Sequence, residues 1–274
     1  MISANDILRV TFDSNVLKRV LCPDASDLNG QVINESLRTG RIEGFVAQTY
    51  FTKEATDRSV REDVLRMAFR RYRDPLCKQD KEGHKFIADS NKSKILRGGT
   101  LLNRKDILAL MRQYRIRILH TYLFGDVQLR PQLEVGDFRI EDIQSGDFYK
   151  WNGNEEDVEI RNAECFHYIH EVLKAGVLSV DSLDVADGNL IGEDGARILK
   201  FKNPSAEEAD MQAIATHYAH QLDIFCTEDK GRSAGGNSVM KPMNKQALAE
   251  KYEIQFCTLS ELAHLISHGK KSSP

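Results

Sequence analysis

The chain has 274 residues, of which 41% are hydrophobic and 29% are charged, as in an ordinary globular protein. Its 38 lysines and arginines stand against 41 aspartates and glutamates, and the net charge of −3 argues against nucleic-acid binding through bulk charge. The five cysteines lack the close paired spacing of a zinc knuckle, which indicates reduced thiols. No apolar run approaches the length of a membrane span and no signal-peptide pattern is present, so we expect a soluble, cytoplasmic protein with no membrane partner.

Short apolar runs and amphipathic helix patterns alternate along much of the chain. The predicted strands are 7–12, 43–47, 115–120, 222–226 and 253–256, and the predicted helices are 27–39, 49–72, 104–114, 162–175, 205–221, 245–251 and 260–267. Ser205 is the expected N-cap of the helix 205–221. This alternation predicts an α/β protein with a three-layer α/β/α fold, in which a mostly parallel central sheet carries helices on both faces.

Residues from about 74 to 203 break the alternation, because long stretches are polar, acidic or rich in glycine. This segment has too few apolar residues for a core of its own, so we expect a long insertion within a single domain. Within it, 181–195 is turn-rich and could form a hairpin. Trp151, Phe148 and Tyr149 could stack on nucleic-acid bases, but we expect them to anchor the insertion to the main body.

Four acids lie where such a fold would bring them to one edge of the sheet. Asp13 ends the first strand, Glu54 lies early in the helix after the second, and Asp210 and Asp229 flank the predicted strand 222–226. Each has an ordinary alternative: a helix cap for Asp13, a solvated position for Glu54, a helix-dipole partner for Asp210 and a turn for Asp229. Together they would repel one another unless cations neutralise them, and oxygen ligands of this kind suit Mg²⁺ or Mn²⁺. The expected chemistry is metal-assisted attack of water on a phosphodiester.

The segments around these acids resemble a PIN domain. The matching segments are Phe12-Asp13-Ser14-Asn15-Val16-Leu17, Glu54, Ala209-Asp210 with Ile214-Ala215, Cys226-Thr227-Glu228-Asp229, and Ala247-Leu248-Ala249-Glu250-Lys251 with Ile254. The resemblance covers roughly 5–72 and 204–268, which would form the core, and it leaves 74–203 as the insertion. Family members are typically metal-dependent ribonucleases of an α/β/α fold, and many are toxins or RNA-processing nucleases.

The resemblance implies a role for each matching residue. The metal-binding acids would be Asp13, Glu54, Asp210 and Asp229. Thr227 would supply the hydroxyl that precedes the last acid, and Ser14 and Asn15 would support the first. Glu207 and Glu208 are rivals to Asp210, and the helix register leaves Glu54 the least certain of the four. The implied cofactor is Mg²⁺ or Mn²⁺, the implied substrate is single-stranded or structured RNA, and an antitoxin would be a separate protein partner.

Arg66, Arg70 and Arg73 form a stripe with i, i+4, i+7 spacing on the predicted helix 49–72. They could contact RNA phosphates on the way to the metal site. The alternative is a solvated helix face on which Glu62 pairs with Arg66.

Two histidine pairs have the i, i+3 spacing of a helix, namely His167/His170 and His217/His220. No cysteine or acid is spaced to complete a metal site with either pair. We therefore interpret all four as ordinary helix residues.

Two further classes of function stay open. One is a scaffold or RNA-binding protein that keeps the fold without catalysis. The other is a phosphatase-like hydrolase with Asp13 as nucleophile, against which Asn15 counts, because that chemistry favours Asp at this second position. We expect a metal-dependent endoribonuclease in preference to both.

Overall fold

The structure, a computed structural model, describes residues 7–52, 104–121, 142–175, 183–186, 189–192, 204–231 and 238–268. Within these ranges the strands are β1 (Leu8–Phe12), β2 (Ile42–Ala47), β3 (Arg117–Leu119), β4 (Leu183–Ala186), β5 (Asn189–Gly192), β6 (Ile224–Cys226) and β7 (Gln255–Cys257). The helices are α1 (Ser14–Leu21), α2 (Leu28–Arg38), α3 (Thr49–Thr52), α4 (Arg104–Tyr114), α5 (Glu155–His167), α6 (Pro204–Ala219), α7 (Pro242–Tyr252) and α8 (Leu259–His268). None of these helices has both the length and the apolar character that crossing a membrane requires.

Five parallel strands form the central sheet, in the order β3-β2-β1-β6-β7. β1 is the middle strand, and its Val10 lies opposite Gly44 on one side and Ile224 on the other. A Cβ at Gly44 would lie 2.9 Å from side-chain atoms of both Ile116 and Leu37. Since packed interiors leave no room for such an atom, glycine lets the α2 layer approach the sheet closely at this position.

Helices cover both faces of the sheet. On one face α1, α2, α4 and α8 enclose a core that includes Val16, Leu17, Ile33, Ile107, Met111 and Leu262. On the other face α5, α6 and α7 enclose a second core that includes Cys165, Met211, Ile214, Phe225 and Leu248. The predicted three-layer α/β/α fold with a parallel central sheet is confirmed.

The segment expected to be an insertion contributes to this architecture. β3 pairs with β2 at the edge of the sheet, with Ile118 opposite Val46. α4 packs on α1 and α2, and α5 packs along α6. The predicted hairpin is also present, as the antiparallel pair of β4 and β5. The predicted insertion, 74–203, therefore includes one strand and two helices that pack within the main fold, namely β3, α4 and α5.

Several helix starts differ from the prediction, and two of them bear on the helix cap. α6 begins at Pro204, so Ser205 lies inside the first turn and is not the N-cap; proline suits the first helical position because its missing N–H has no partner there anyway. α5 begins at Glu155, earlier than expected, after Asn154, whose side chain caps the helix. The missed signal was an asparagine followed directly by three acids.

The aromatic segment 148–151 lies against the main body. The Tyr149 ring meets the Phe45 ring edge-on, with 5.0 Å between centroids. Nearby, Arg112 of α4 donates two hydrogen bonds to the Asp147 carboxylate, at 2.7 and 2.6 Å. The expected anchoring role of this segment is confirmed.

Candidate functional site

The candidate site lies where the strand order reverses. β1 and β6 are neighbours, but the chain leaves β1 towards β2 and leaves β6 towards β7. The carboxyl ends of two such strands form the crevice in which open α/β sheets bind ligands. The edge crevice, as we call it, is formed by Asp13, Ser14, Asn15, Thr227, Asp229 and Lys245. It joins residues from the beginning and the end of the described chain.

Asp13 is buried, with 5% of its surface exposed, and its carboxylate accepts several hydrogen bonds. Oδ1 accepts from the backbone N–H of Ser14 at 2.6 Å, which is the capping role that the sequence offered as an alternative. Oδ2 accepts from the Thr227 hydroxyl at 2.6 Å and from the Asn15 amide at 2.7 Å. Asp13 therefore caps α1 and also accepts a hydrogen bond from the residue that follows β6.

Asn15 and Thr227 connect the ends of the two strands. The Asn15 amide lies 3.2 Å from the Thr227 hydroxyl oxygen, and its Oδ1 accepts from the backbone N–H of Glu228 at 3.1 Å. The same Thr227 oxygen accepts from the backbone N–H of Asp229 at 3.0 Å. Thr227, 2% exposed, therefore bridges the Asp13 carboxylate and the backbone that carries Asp229.

Asp229 lies in a tight loop beside the start of α7. Its Oδ1 accepts from the backbone N–H of Gly231 at 2.7 Å. Gly231 has a φ of +65°, and a Cβ there would lie 2.7 Å from the backbone nitrogen of Lys241. Only glycine combines this left-handed conformation with so close an approach, which brings the first turn of α7 against the loop.

Lys245, in the first turn of α7, reaches the edge crevice. Its Nζ donates to the backbone carbonyl of Asp229 at 2.9 Å. Burial lowers the pKa of Lys245, and the negative charges of Asp229 and Asp13 oppose that change. The sequence analysis missed this residue, although a lysine at the positive end of a helix dipole is an unfavourable placement that could have drawn attention to it.

Glu207, one of the two rivals to Asp210, lies close to Asp229. It is buried, and its Oε2 accepts from the backbone N–H of Val239 at 3.3 Å. Burial raises the pKa of Glu207, and the charge of Asp229 acts in the same direction, while hydrogen bonds from Ser238 and Val239 oppose both. Glu207 is thus an α6 acid on which the charge of Asp229 acts.

Asp210 follows Glu207 by three residues on α6, and its side chain is partly exposed. Residues with this spacing leave a helix on the same side. Asp210 therefore lies on the side of α6 that carries Glu207, one turn further along the helix.

The remaining predicted site residues lie outside the described ranges. They are Glu54, Arg66, Arg70 and Arg73. Their proposed roles in metal and RNA binding stay predictions.

The donors of the edge crevice suit a hard divalent cation. In the described part of the chain, no three or more histidine, cysteine, aspartate or glutamate side chains are arranged to hold a metal ion. Mg²⁺, however, needs only one or two carboxylates from a protein, because waters and substrate phosphates complete its shell. Asp13 and Asp229, bridged through Thr227, offer two carboxylates at one edge. Their carboxylate oxygens are of the type that Mg²⁺ or Mn²⁺ prefers, and the metal itself stays a prediction.

The histidine pair of α6 lies in the interior, away from this crevice. His217 is 1% exposed, and its Nδ1 lies 2.8 Å from the Thr11 hydroxyl. Burial lowers the pKa of His217 to about 3, so the imidazole is neutral. His220 Nδ1 lies 2.9 Å from the carbonyl of Thr216. Both are packed helix residues, as the sequence analysis expected.

Comparison of the chain with models of known protein families, with curated proteins and with solved structures gives no significant match. The PIN-domain resemblance therefore rests on its sequence segments alone and stays a prediction.

Proposed function

We propose that this protein is a metal-dependent nuclease that hydrolyses RNA phosphodiester bonds at the edge crevice. The observation that carries the proposal is the pair of side-chain hydrogen bonds, from Thr227 and Asn15, that orient the buried Asp13 carboxylate beside Asp229. The preference for RNA, an internal cut and a toxin role with an antitoxin partner come from the PIN-domain resemblance.

Each residue of the edge crevice has a part in this proposal. Asp13 and Asp229 would hold the cation, while Asn15 and Thr227 fix the direction of the Asp13 carboxylate. Asp210 and Glu54 are the two further acids that the PIN-domain resemblance implies for the metal site, and the charge of Asp229 acts on Glu207 of α6. A bound Mg²⁺ or Mn²⁺ would supply Lewis-acid catalysis for the attack of water on the phosphodiester.

The test is cleavage of a mixed RNA pool in the presence of Mn²⁺ by the wild type and by Asp13→Asn, Asp210→Asn and Asp229→Asn. We expect Asp13→Asn to lower the cleavage rate at least about a hundredfold, the usual cost of losing one group that stabilises transition-state charge. Circular dichroism and a thermal melt establish that each variant is folded.

Asp27→Asn is the matched control. Asp27 is also the N-cap of a helix, α2, and it binds Gly30 and Arg19 away from the edge crevice. Its substitution should lower stability without changing the rate of cleavage. Equal activity of wild type and Asp13→Asn would rule out the metal-site interpretation.

A non-catalytic scaffold or RNA-binding protein is the second candidate, and Lys245 favours it. Its ammonium already brings a positive charge to the carboxylates of Asp13 and Asp229. Titration calorimetry with Mn²⁺ distinguishes the two candidates. A nuclease of the proposed kind would bind Mn²⁺, whereas a scaffold would bind RNA equally with or without Mn²⁺ and would not bind the metal.

We place this activity in the cytoplasm. Within the described ranges, Cys22, Cys165, Cys226 and Cys257 are all free thiols. Such thiols persist in a reducing compartment, where cellular RNA is also found.

A further inference from the structure

The positively charged side chain of Lys245 lies at the edge crevice. Its Nζ donates to the Asp229 carbonyl at 2.9 Å, and it lies within the electrostatic reach of the Asp13 and Asp229 carboxylates. The side chain is partly buried. The ammonium therefore occupies the neighbourhood in which the proposed divalent cation would bind.

The placement of this lysine is unfavourable in two ways. α7 begins at Pro242, so Lys245 lies in the first turn, where the helix dipole repels a positive charge. Partial burial also removes water from the ammonium. The attraction of Asp229, Asp13 and Glu261 opposes the cost of burial without cancelling it, because the pKa of Lys245 stays below its ordinary value. Residues that break local rules in this way often mark a functional site.

Arg19, another cation near this edge, forms its ion pairs elsewhere. It binds the Asp27 carboxylate at 2.8 Å and lies 3.7 Å from the Glu228 carboxylate. Its ion pairs hold α1, α2 and the loop after β6 together on the outer side. Lys245 differs from it, because its attractive partners include the two acids proposed to bind metal.

We propose that the Lys245 ammonium competes with the divalent cation for the carboxylates of Asp13 and Asp229, and so sets the metal affinity of the site. The inference rests on the proposed function, since it concerns the same two acids. Without a divalent cation, Lys245 neutralises part of their mutual repulsion. When the divalent cation binds, the Lys245 ammonium moves away from the two carboxylates, and its flexible four-carbon stem allows that movement.

The experiment is titration calorimetry of Mn²⁺ into metal-free protein without RNA. Lys245→Met removes the charge but keeps an unbranched side chain, and Lys245→Arg keeps the charge. Lys251→Met is the matched control: it makes the same change in the last turn of the same helix, where Lys251 lies over the rings of Tyr168 and Tyr252.

We expect Lys245→Met to bind Mn²⁺ roughly tenfold more tightly than the wild type, because one competing charge is gone. Lys245→Arg and Lys251→Met should bind with wild-type affinity. The rise in melting temperature on adding Mn²⁺ should also be larger for Lys245→Met than for the wild type, since tighter binding to the folded state stabilises it more. Lys245→Gln serves as a second charge-removing variant if Lys245→Met does not fold.

Two results would overturn the inference, and they differ in what else they imply. If the wild type binds Mn²⁺ and the charge-removing variant binds it equally or less tightly, the competition is wrong but the metal site stands. If neither protein binds Mn²⁺, the metal site and the competition both fail. A purely structural role for Lys245 would lower the melting temperature of Lys245→Met without changing its Mn²⁺ affinity.

Discussion

Thr11 and Asp13 are separated by one residue of extended chain and so point to the same side of β1, but their partners differ in charge. Thr11 meets the neutral imidazole of His217 beneath α6, where both residues are fully enclosed. Asp13 meets Thr227 and Asn15 at the carboxyl edge, with the Lys245 ammonium in electrostatic reach.

The difference between these two clusters follows from the cost of burying charge. In the interior, burial holds the pKa of His217 at about 3, and a neutral hydrogen bond is the stable arrangement. At the edge, the buried Asp13 carboxylate is tolerated because Ser14, Asn15 and Thr227 donate hydrogen bonds to it and a lysine is nearby. The inner cluster, Thr11 and His217, can therefore stabilise the fold. The outer cluster, Asp13 with Asn15, Thr227 and Lys245, keeps charged groups that can interact with a ligand.

His217→Ala gives the largest expected effect on stability. Removing a fully enclosed ring leaves a cavity and an unpaired Thr11 hydroxyl, so the free energy of unfolding should fall by about 3 kcal/mol. Urea unfolding followed by circular dichroism measures the change. The nuclease activity per folded molecule should stay at the wild-type level; a folded His217→Ala variant without activity would contradict the division between the two clusters.

The inner cluster should also make stability depend on pH. The pKa of His217 is about 3 in the folded protein and 6.5, the ordinary value for histidine, in the unfolded chain. Between about pH 3 and pH 6.5 the unfolded chain therefore binds more protons than the folded protein. The free energy of unfolding should therefore fall as the pH drops through about 6.5 and level off below about 3, by at most about 1.4 kcal/mol per pH unit for each such histidine. Burial also lowers the pKa of His220, which adds a contribution of the same sign.

Urea unfolding between pH 7 and pH 4.5 tests this dependence in the wild type and in His217→Gln. The variant cannot take up a proton at this position, so its stability should vary less with pH. An identical slope in both proteins would show that His217 does not stay neutral in the folded state.

The smallest expected effect comes from a pair of matched Thr→Val substitutions. Thr227→Val removes the hydroxyl that orients Asp13 and should lower the cleavage rate about tenfold, a typical cost of losing a partner of a metal-binding carboxylate. Thr216→Val removes a buried hydroxyl that accepts from Asn162 at 3.2 Å. It should cost about 1 kcal/mol of stability and leave the cleavage rate unchanged.

Comparing the cleavage rates of the two folded variants in one assay completes this test. An equal loss of activity in Thr216→Val and Thr227→Val would mean that cleavage depends on a buried hydroxyl of α6 as much as on the hydroxyl that orients Asp13.

Local pattern was enough to predict the parallel sheet and the position of Asp13. The run before Asp13 is apolar enough for a central strand, and the alternation of elements predicts that Thr227 and Asp229 follow a neighbouring one. These inferences need only the period of each element and the rule that parallel strands end at one edge.

The rest depends on helix starts and on packing between distant segments. The prediction began α7 at Lys245, whereas Pro242 begins it, and no local pattern indicated that this lysine would contact the Asp229 carbonyl. Which acid of α6 faces Asp229 depends on how the helix rotates against the sheet, so Glu207 and Asp210 were indistinguishable by spacing. α5 was predicted to begin at residue 162, because the acidic first turns obscured a narrow buried stripe that begins at Val158 and continues to Asn162 and Cys165.

The hydrogen bond from Thr227 to Asp13 joins residues 214 positions apart. During synthesis, β1 and β2 are made well before β6. Closing so long a loop is slow compared with local pairing. A growing or truncated chain that ends before β6 would lack Thr227 and Asp229 and therefore the edge crevice, so the proposed hydrolysis of RNA could begin only after the segment that follows β6 has been made.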